Sequence, residues 1–160
     1  MRFGQTDQVS WLSFEGAMRY TECREMKAFL ERTVFPGMAD TMVIDLRQVE
    51  SVDSTALGLL ALIGKTSLSR YSRRAVIVVP EGNVAQCLRA MQFDKLFTMS
   101  DALDQPRDLS LTPVSIDAGQ EPLVSVMLGA HKELSSLDDR NKARFNDVVD
   151  VLEQAVKRRR

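Results

Sequence analysis

Residues 45–64 read DLRQVESVDSTALGLLALIG, and the order of residue types in this stretch decides the fold. Upstream, Met42-Val43-Ile44 is a short apolar run that ends at Asp45, as expected of a buried strand. Arg47 to Val52 is mostly polar and reads as a loop. Asp53 is a residue type that accepts hydrogen bonds from the orphan N–H groups opening a helix. A long helical stretch then runs to about Tyr71, with Ser54 and Thr55 in its first turn. Their hydroxyls sit at the positive end of the helix dipole. Leu57, Leu59, Leu60, Leu62 and Ile63 cover more of this helix than a core stripe requires, so it is either deeply buried or partly an interface. Gly58 carries no side chain at a place where another backbone could come close.

Working outward, Val9 to Phe14 (VSWLSF) is a strand that Gly16 closes, and Met1 to Thr6 pairs with it as a hairpin through Asp7-Gln8. A helix starts near Thr21-Glu22, shows Met26, Phe29, Leu30 and Val34 at helical spacing, and ends at Pro36-Gly37. Ala75 to Val79 (AVIVV) is a second buried strand stopped by Pro80. Asn83 to Met91 is a short helix, Phe93 to Met99 a last strand, and a short polar helix follows near Asp101. Alternation of strand and helix implies an α/β fold: a largely parallel sheet with its helices packed on one face.

Bulk properties narrow the function by exclusion. The chain has 160 residues, 44% hydrophobic and 27% charged, with a formal net charge of −1, so it can bury a core and shows no whole-chain affinity for nucleic acid or anionic membrane. No leader pattern opens it and its longest apolar run, Ala56 to Gly64, is too short to cross a bilayer, so a cytoplasmic protein is expected. Cys23 and Cys87 are far apart and read as reduced packing residues. With one histidine, no metal site is expected. A Ser–His or Cys–His catalytic pair would have to use that residue, His131, in a polar helical stretch far along the chain, and none is expected. No phosphate-binding glycine loop is present, so no cofactor is expected. Arg70, Arg73 and Arg74, and the end Lys157-Arg158-Arg159-Arg160, read as solvated charge.

On local physics alone, Asp53-Ser54 before an apolar helix is a cap. The wider pattern resembles the STAS domains of bacterial anti-anti-sigma factors (anti-sigma factor antagonists). In that family a buried strand ends in Asp-Leu, a loop follows, and a helix opens with Asp-Ser-Ser/Thr-Gly-Leu-Gly. Here Asp45-Leu46 and Asp53-Ser54-Thr55-Ala56-Leu57-Gly58 occupy those places. Val76 to Pro80, Val84, Leu88 and Phe93-Asp94-Lys95-Leu96-Phe97 look like the family's closing segment. Ala56 departs from the usual glycine, and Glu15-Gly16-Ala17-Met18 departs from the family's usual ending of the second strand.

The resemblance implies that Ser54, or alternatively Thr55, is phosphorylated by a partner Ser/Thr kinase, which is often the anti-sigma factor itself. A PP2C-type phosphatase would restore it. The unphosphorylated form would bind the partner through Asp53, Ser54, Thr55, Leu57 and Gly58, and chemistry would be done in trans, so this chain would not be an enzyme. The competing reading is a constitutive STAS adaptor of a transporter or signalling assembly, in which Ser54 only caps.

The resemblance covers residues 1–104. Residues 105–121, with Pro106, Pro113 and Gly119, read as a linker. Residues 122–160 form a C-terminal helical extension: Leu123, Met127, Ala130, Leu134 and Leu137, then Phe145, Val148, Val149, Leu152 and Val156, recur at spacings of three and four. Asp138-Asp139 is a turn or a helix restart. Such a pair does not hold alone, so its stripe must dock on the α/β unit, on a second copy as a homodimer, or on a partner.

Overall fold

The computed structural model describes residues 1–115 and 119–158. Strand β1 (Arg2–Gln5) forms a hairpin with β2 (Val9–Met18). Helix α1 (Tyr20–Phe29) follows, and Glu22 accepts from the Arg19 N–H at 3.4 Å to close its first turn. The helix loosens into a π turn at Leu30–Val34 before the single turn α2 (Phe35–Gly37), where Pro36 has no N–H to continue the ladder. Strand β3 (Thr41–Val52), helix α3 (Ser54–Tyr71), strand β4 (Ala75–Val78), helix α4 (Asn83–Ala90) and strand β5 (Phe97–Ser100) complete the alternating part. Then come a two-residue strand, β6 (Thr112–Pro113), and the helices α5 (Leu123–Ser135) and α6 (Asp139–Lys157).

The sheet order is β5-β4-β3-β2-β1-β6. The four strands from β5 to β2 are parallel, while β1 and β6 add an antiparallel edge. Side chains alternate between the faces. Leu12, Phe14, Ile44, Leu46 and Ile77 point into the main core under the helices, while Trp11, Val43 and Val78 form a smaller cluster on the other face. The expected α/β architecture, mostly parallel with its helices on one face, is therefore the one found.

Several expectations need correction. Gly16 does not close β2: it adopts φ +69 beside a register shift, and the strand continues to Met18. Glycine accommodates that left-handed backbone without strain. The polar loop expected over Arg47–Val52 is strand. Beyond Asp45, β3 leaves β4 and pairs with β2 alone, Glu15 opposite Gln48 and Met18 opposite Val52. This two-stranded extension is solvated, which is why its residues are polar. The strand expected from Phe93 starts at Phe97, because Phe93–Lys95 is a 3-10 turn, and residues 101–111 form no helix near Asp101. Residues 105–115 also do more than link: Leu109 and Leu111 cover the second sheet face, and Thr112–Pro113 pair with β1. The rest of the expected linker at 116–118, and the basic end beyond Arg158, lie outside the described residues.

The C-terminal segment is a helical hairpin. Asp138 accepts from the Asn141 N–H at 2.8 Å and restarts the chain as α6. Val126, Ala130 and Leu134 form one stripe of α5, and with Phe145 of α6 they join the main core cluster. The destination of the stripe is thus the chain's own α/β unit, chiefly α3, with α1 alongside.

Candidate functional site

The site is built where β3 passes into α3. Asp53 has extended backbone geometry, and its carboxylate accepts from the Ala56 N–H at 2.9 Å. Its second oxygen accepts from the Tyr20 N–H, at the first residue of α1. One carboxylate therefore caps two helices, the position in which a negative charge is favourable. The Asp53 N–H donates to the Met18 carbonyl at 3.1 Å, which fixes the corner between β2 and α3.

Ser54 is the first helical residue and is half-buried, whereas Thr55 is only 2% exposed. The Ser54 hydroxyl lies 2.9 Å from Nε2 of His131, on α5. Nδ1 of the same ring lies 2.8 Å from the Met127 carbonyl oxygen. A carbonyl can only accept, so Nδ1 carries a hydrogen and donates to Met127, while Nε2 is the atom that meets the Ser54 hydroxyl. The expectation that His131 stands apart in a polar stretch is wrong. It is 3% exposed, stacks edge-on against Phe145 with centroids 5.7 Å apart, and meets the one serine singled out from sequence.

Hydroxyl, imidazole and an orienting acceptor is the order of parts found in nucleophilic sites. Here the same serine also opens a helix whose cap is Asp53. The Ala56 N–H, in the first turn of α3, is taken up by the Asp53 carboxylate. An open cleft of about 590 Å³ is lined by Glu15, Met18, Arg19, Glu22, Cys23 and Ala56 among others, but by neither Ser54 nor His131. Beside it, burial foremost, then the charges of Asp53, Glu22 and Glu25, pushes the Cys23 thiol up to about 12. Among the described residues, no group of three histidine, cysteine or acidic side chains could hold a metal, and no helix is long and apolar enough to cross a membrane.

Helix α5 covers the rest of the expected surface. Leu57 and Gly58 are both buried. A Cβ on Gly58 would lie 2.1 Å from the Ala130 carbonyl oxygen, so the two helices cross backbone to backbone. Further along α3, Lys65 Nζ donates to the Glu133 carbonyl at 2.9 Å and to its carboxylate at 2.6 Å, and also to Ser136. The over-apolar α3 is thus covered rather than bare. His131, Lys65 and Glu133 were missed from sequence, although the bare backbone offered by Gly58 did signal a close neighbour. Of the arginines, Arg70 donates to the Phe35 carbonyl, and Arg73 and Arg74 are exposed.

A family model described as Mlab, STAS domain matches residues 1–103. Among solved structures, one described as the anti-sigma factor antagonist SpoIIAA in its unphosphorylated form matches with a TM-score of 0.52 at 15% identity, over 62% of this chain and 88% of that one. At that identity the likeness speaks for the fold alone. No protein of curated function matches the chain.

Proposed function

The chain belongs to the STAS-domain family, and we propose that within it the protein is a phosphorylation-controlled anti-sigma factor antagonist with Ser54 as the phosphoacceptor and Thr55 as the lesser alternative. One observation carries this reading. Ser54 stands at the first position of α3, directly after the double-capping Asp53, on the helix end that best tolerates an added phosphate. The similar solved structure is itself described as an anti-sigma factor antagonist in an unphosphorylated form.

In its unphosphorylated state the protein binds an anti-sigma factor or partner-switching kinase through the first turns of α3, around Asp53, Ser54, Thr55, Leu57 and Gly58. A phosphate on Ser54 brings about −1.5 to −2 charges into that contact. Burying such a charge without a partner is costly, and a loss of about 2.7 kcal/mol already lowers affinity about a hundredfold. The kinase and a PP2C-type phosphatase supply the chemistry, and this chain acts in the cytoplasm as their substrate, not as an enzyme. The test is partner binding by wild type, Ser54→Ala and Ser54→Asp. Retention by the first two and loss by the third is expected; equal binding by all three sinks the switch.

A second reading has its own support. The Ser54 hydroxyl is engaged by His131, as a purely structural serine's would be. The chain is then a constitutive STAS adaptor of a transporter or signalling assembly. Mass spectrometry of the protein from its native cells separates the two, since the adaptor carries no phosphate on Ser54 or Thr55 under any growth condition.

A further inference from the structure

We infer that α5 is a removable stand-in for a helix of the partner: the face of α3 centred on Gly58 is a helix-docking groove, and the partner's helix and the chain's own α5 compete for it. This rests on the reading of α3 as the partner-binding element, and adds what the partner presents there and what occupies the site in its absence.

The groove selects a helix. At Gly58 the approach is so close that only a helix with a small residue at the crossing fits, and α5 supplies Ala130 there, preceded by Gly129. Three positions later Glu133 reaches Lys65, and the intervening His131 meets Ser54. The matching partner segment is therefore an amphipathic helix with Ala, Gly or Ser at the crossing, an acidic residue three positions on, and apolar residues in place of Val126 and Leu134.

The hairpin is seated by the burial of Val126, Ala130, Leu134 and Phe145, while the polar groups that position it contribute little net attraction. Lys65–Glu133, Lys95–Asp138 and Lys27–Glu121 are partly exposed ion pairs, at 2.6, 3.1 and 2.6 Å. Asn141 is fully buried and donates to the Met91 carbonyl at 2.9 Å, but its own side-chain oxygen has no partner among the described residues. A buried amide satisfied on one side fixes register at a cost in stability. These polar contacts set the register, and the apolar stripe is the part that a partner helix of the same pattern replaces side chain for side chain. While it is seated, His131 and α5 hold and partly cover the very hydroxyl that the partner must reach.

The test uses the full chain. In a Cys87→Ser background, Ser54→Cys places a thiol beneath α5, and its labelling by a fluorescent maleimide is followed by peptide mass mapping. Buried Cys23 serves as the internal gauge of domain integrity. Adding Ala130→Glu puts a charge into the crossing. Labelling at position 54 is expected to accelerate about tenfold or more while Cys23 stays unlabelled. Glu133→Lys, which sets like charges against Lys65, is expected to give a smaller change of the same sign. A synthetic peptide of residues 122–137, added to the Ala130→Glu protein, is expected to slow labelling again, whereas the same peptide carrying Ala130→Glu is expected not to.

Three results overturn the inference: an unchanged labelling rate in both variants, labelling of Cys23 in step with position 54, or no protection by the peptide. None of these readings depends on phosphorylation. If the groove behaves as expected but no phosphate is found on Ser54 in cells, the docking site stands and the phosphoswitch falls.

Discussion

Replacing Gly58 by alanine sets two sizeable effects against each other, and the structure decides the sign. Within α3, alanine is the better helix former by about 1 kcal/mol, so a bare helix would gain stability. In the folded chain the new Cβ would lie 2.1, 2.4 and 2.6 Å from the carbonyl oxygen, carbonyl carbon and Cα of Ala130. Comfortable separation begins near ~3.5 Å, so α5 must withdraw by roughly 1.4 Å. All three atoms are backbone, and no rotamer change relieves the overlap. Overpacking of this kind typically costs about 1–3 kcal/mol. A rigid backbone obstacle belongs at the upper end, which leaves a net loss of about 2 kcal/mol, or a fall in Tm of roughly 4–8 °C for a chain of this size. Denaturant midpoints read the change, and hydrogen exchange along α5 should quicken with it. Gly129→Ala is the matched control, since a Cβ there meets nothing within 4 Å and the same propensity gain should appear unopposed. If Gly58→Ala stabilises the protein as Gly129→Ala does, α5 does not cross α3 as described, and the docking argument falls with it.

Three further perturbations follow from the same geometry. Asp53→Asn keeps one cap but turns an NH2 group toward an N–H it formerly accepted, from Ala56 or Tyr20, so a loss of about 1–2 kcal/mol is expected, and more for Asp53→Ala; unchanged denaturation midpoints would contradict the double cap. Iodoacetamide at pH 8 should modify Cys87 well before Cys23, whose thiol is raised to about 12 and buried; equal rates would show that the core around Cys23 opens readily. Burial raises the Asp45 carboxyl, but the Arg47 guanidinium, at 2.6 and 3.0 Å, outweighs it and holds the group below the usual carboxylate range. A depressed folded value contributes stability at neutral pH that is lost as pH falls through it. Arg47→Ala should therefore destabilise at pH 7, and the difference from wild type should shrink toward pH ~3, below the ordinary aspartate value; a difference that does not vary with pH would refute the linkage.

What could be read from the sequence was whatever is encoded within one element. Asp53 before an apolar run marked the start of α3, and Ala75 to Val79 announced a buried strand, found as Ala75–Val78. Leu123 to Leu134 and Phe145 to Leu152 announced amphipathic helices. The misreadings at Arg47 to Val52, at Leu109 and Leu111, and at His131 each depend on a neighbour distant in the chain. Arg47 to Val52 looked like a loop because a strand paired only with the end of β2 can stay polar. Leu109 and Leu111 looked like parts of a linker because the sheet face they cover is assembled from β2, β3 and β4. His131 read as part of a polar helical stretch too far along the chain to pair with a serine, yet its partner Ser54 lies 77 residues earlier. Spacing along α5 gave its stripe but not which other helix would lie beneath it.

The order of these elements along the chain also has a consequence in time. During synthesis α3 is finished at Tyr71, whereas α5 is complete only at Ser135, 64 residues later (135 − 71). At translation rates of about 5–20 residues per second, roughly 3–13 s separate the two events. The α/β unit that carries the groove is complete only at Ser100, so for the last 35 of those residues (135 − 100), about 2–7 s, the Gly58 groove and the Ser54 hydroxyl belong to a nascent chain with no α5 to cover them. Each molecule therefore presents this surface uncovered once, at birth, before its own tail can compete for it.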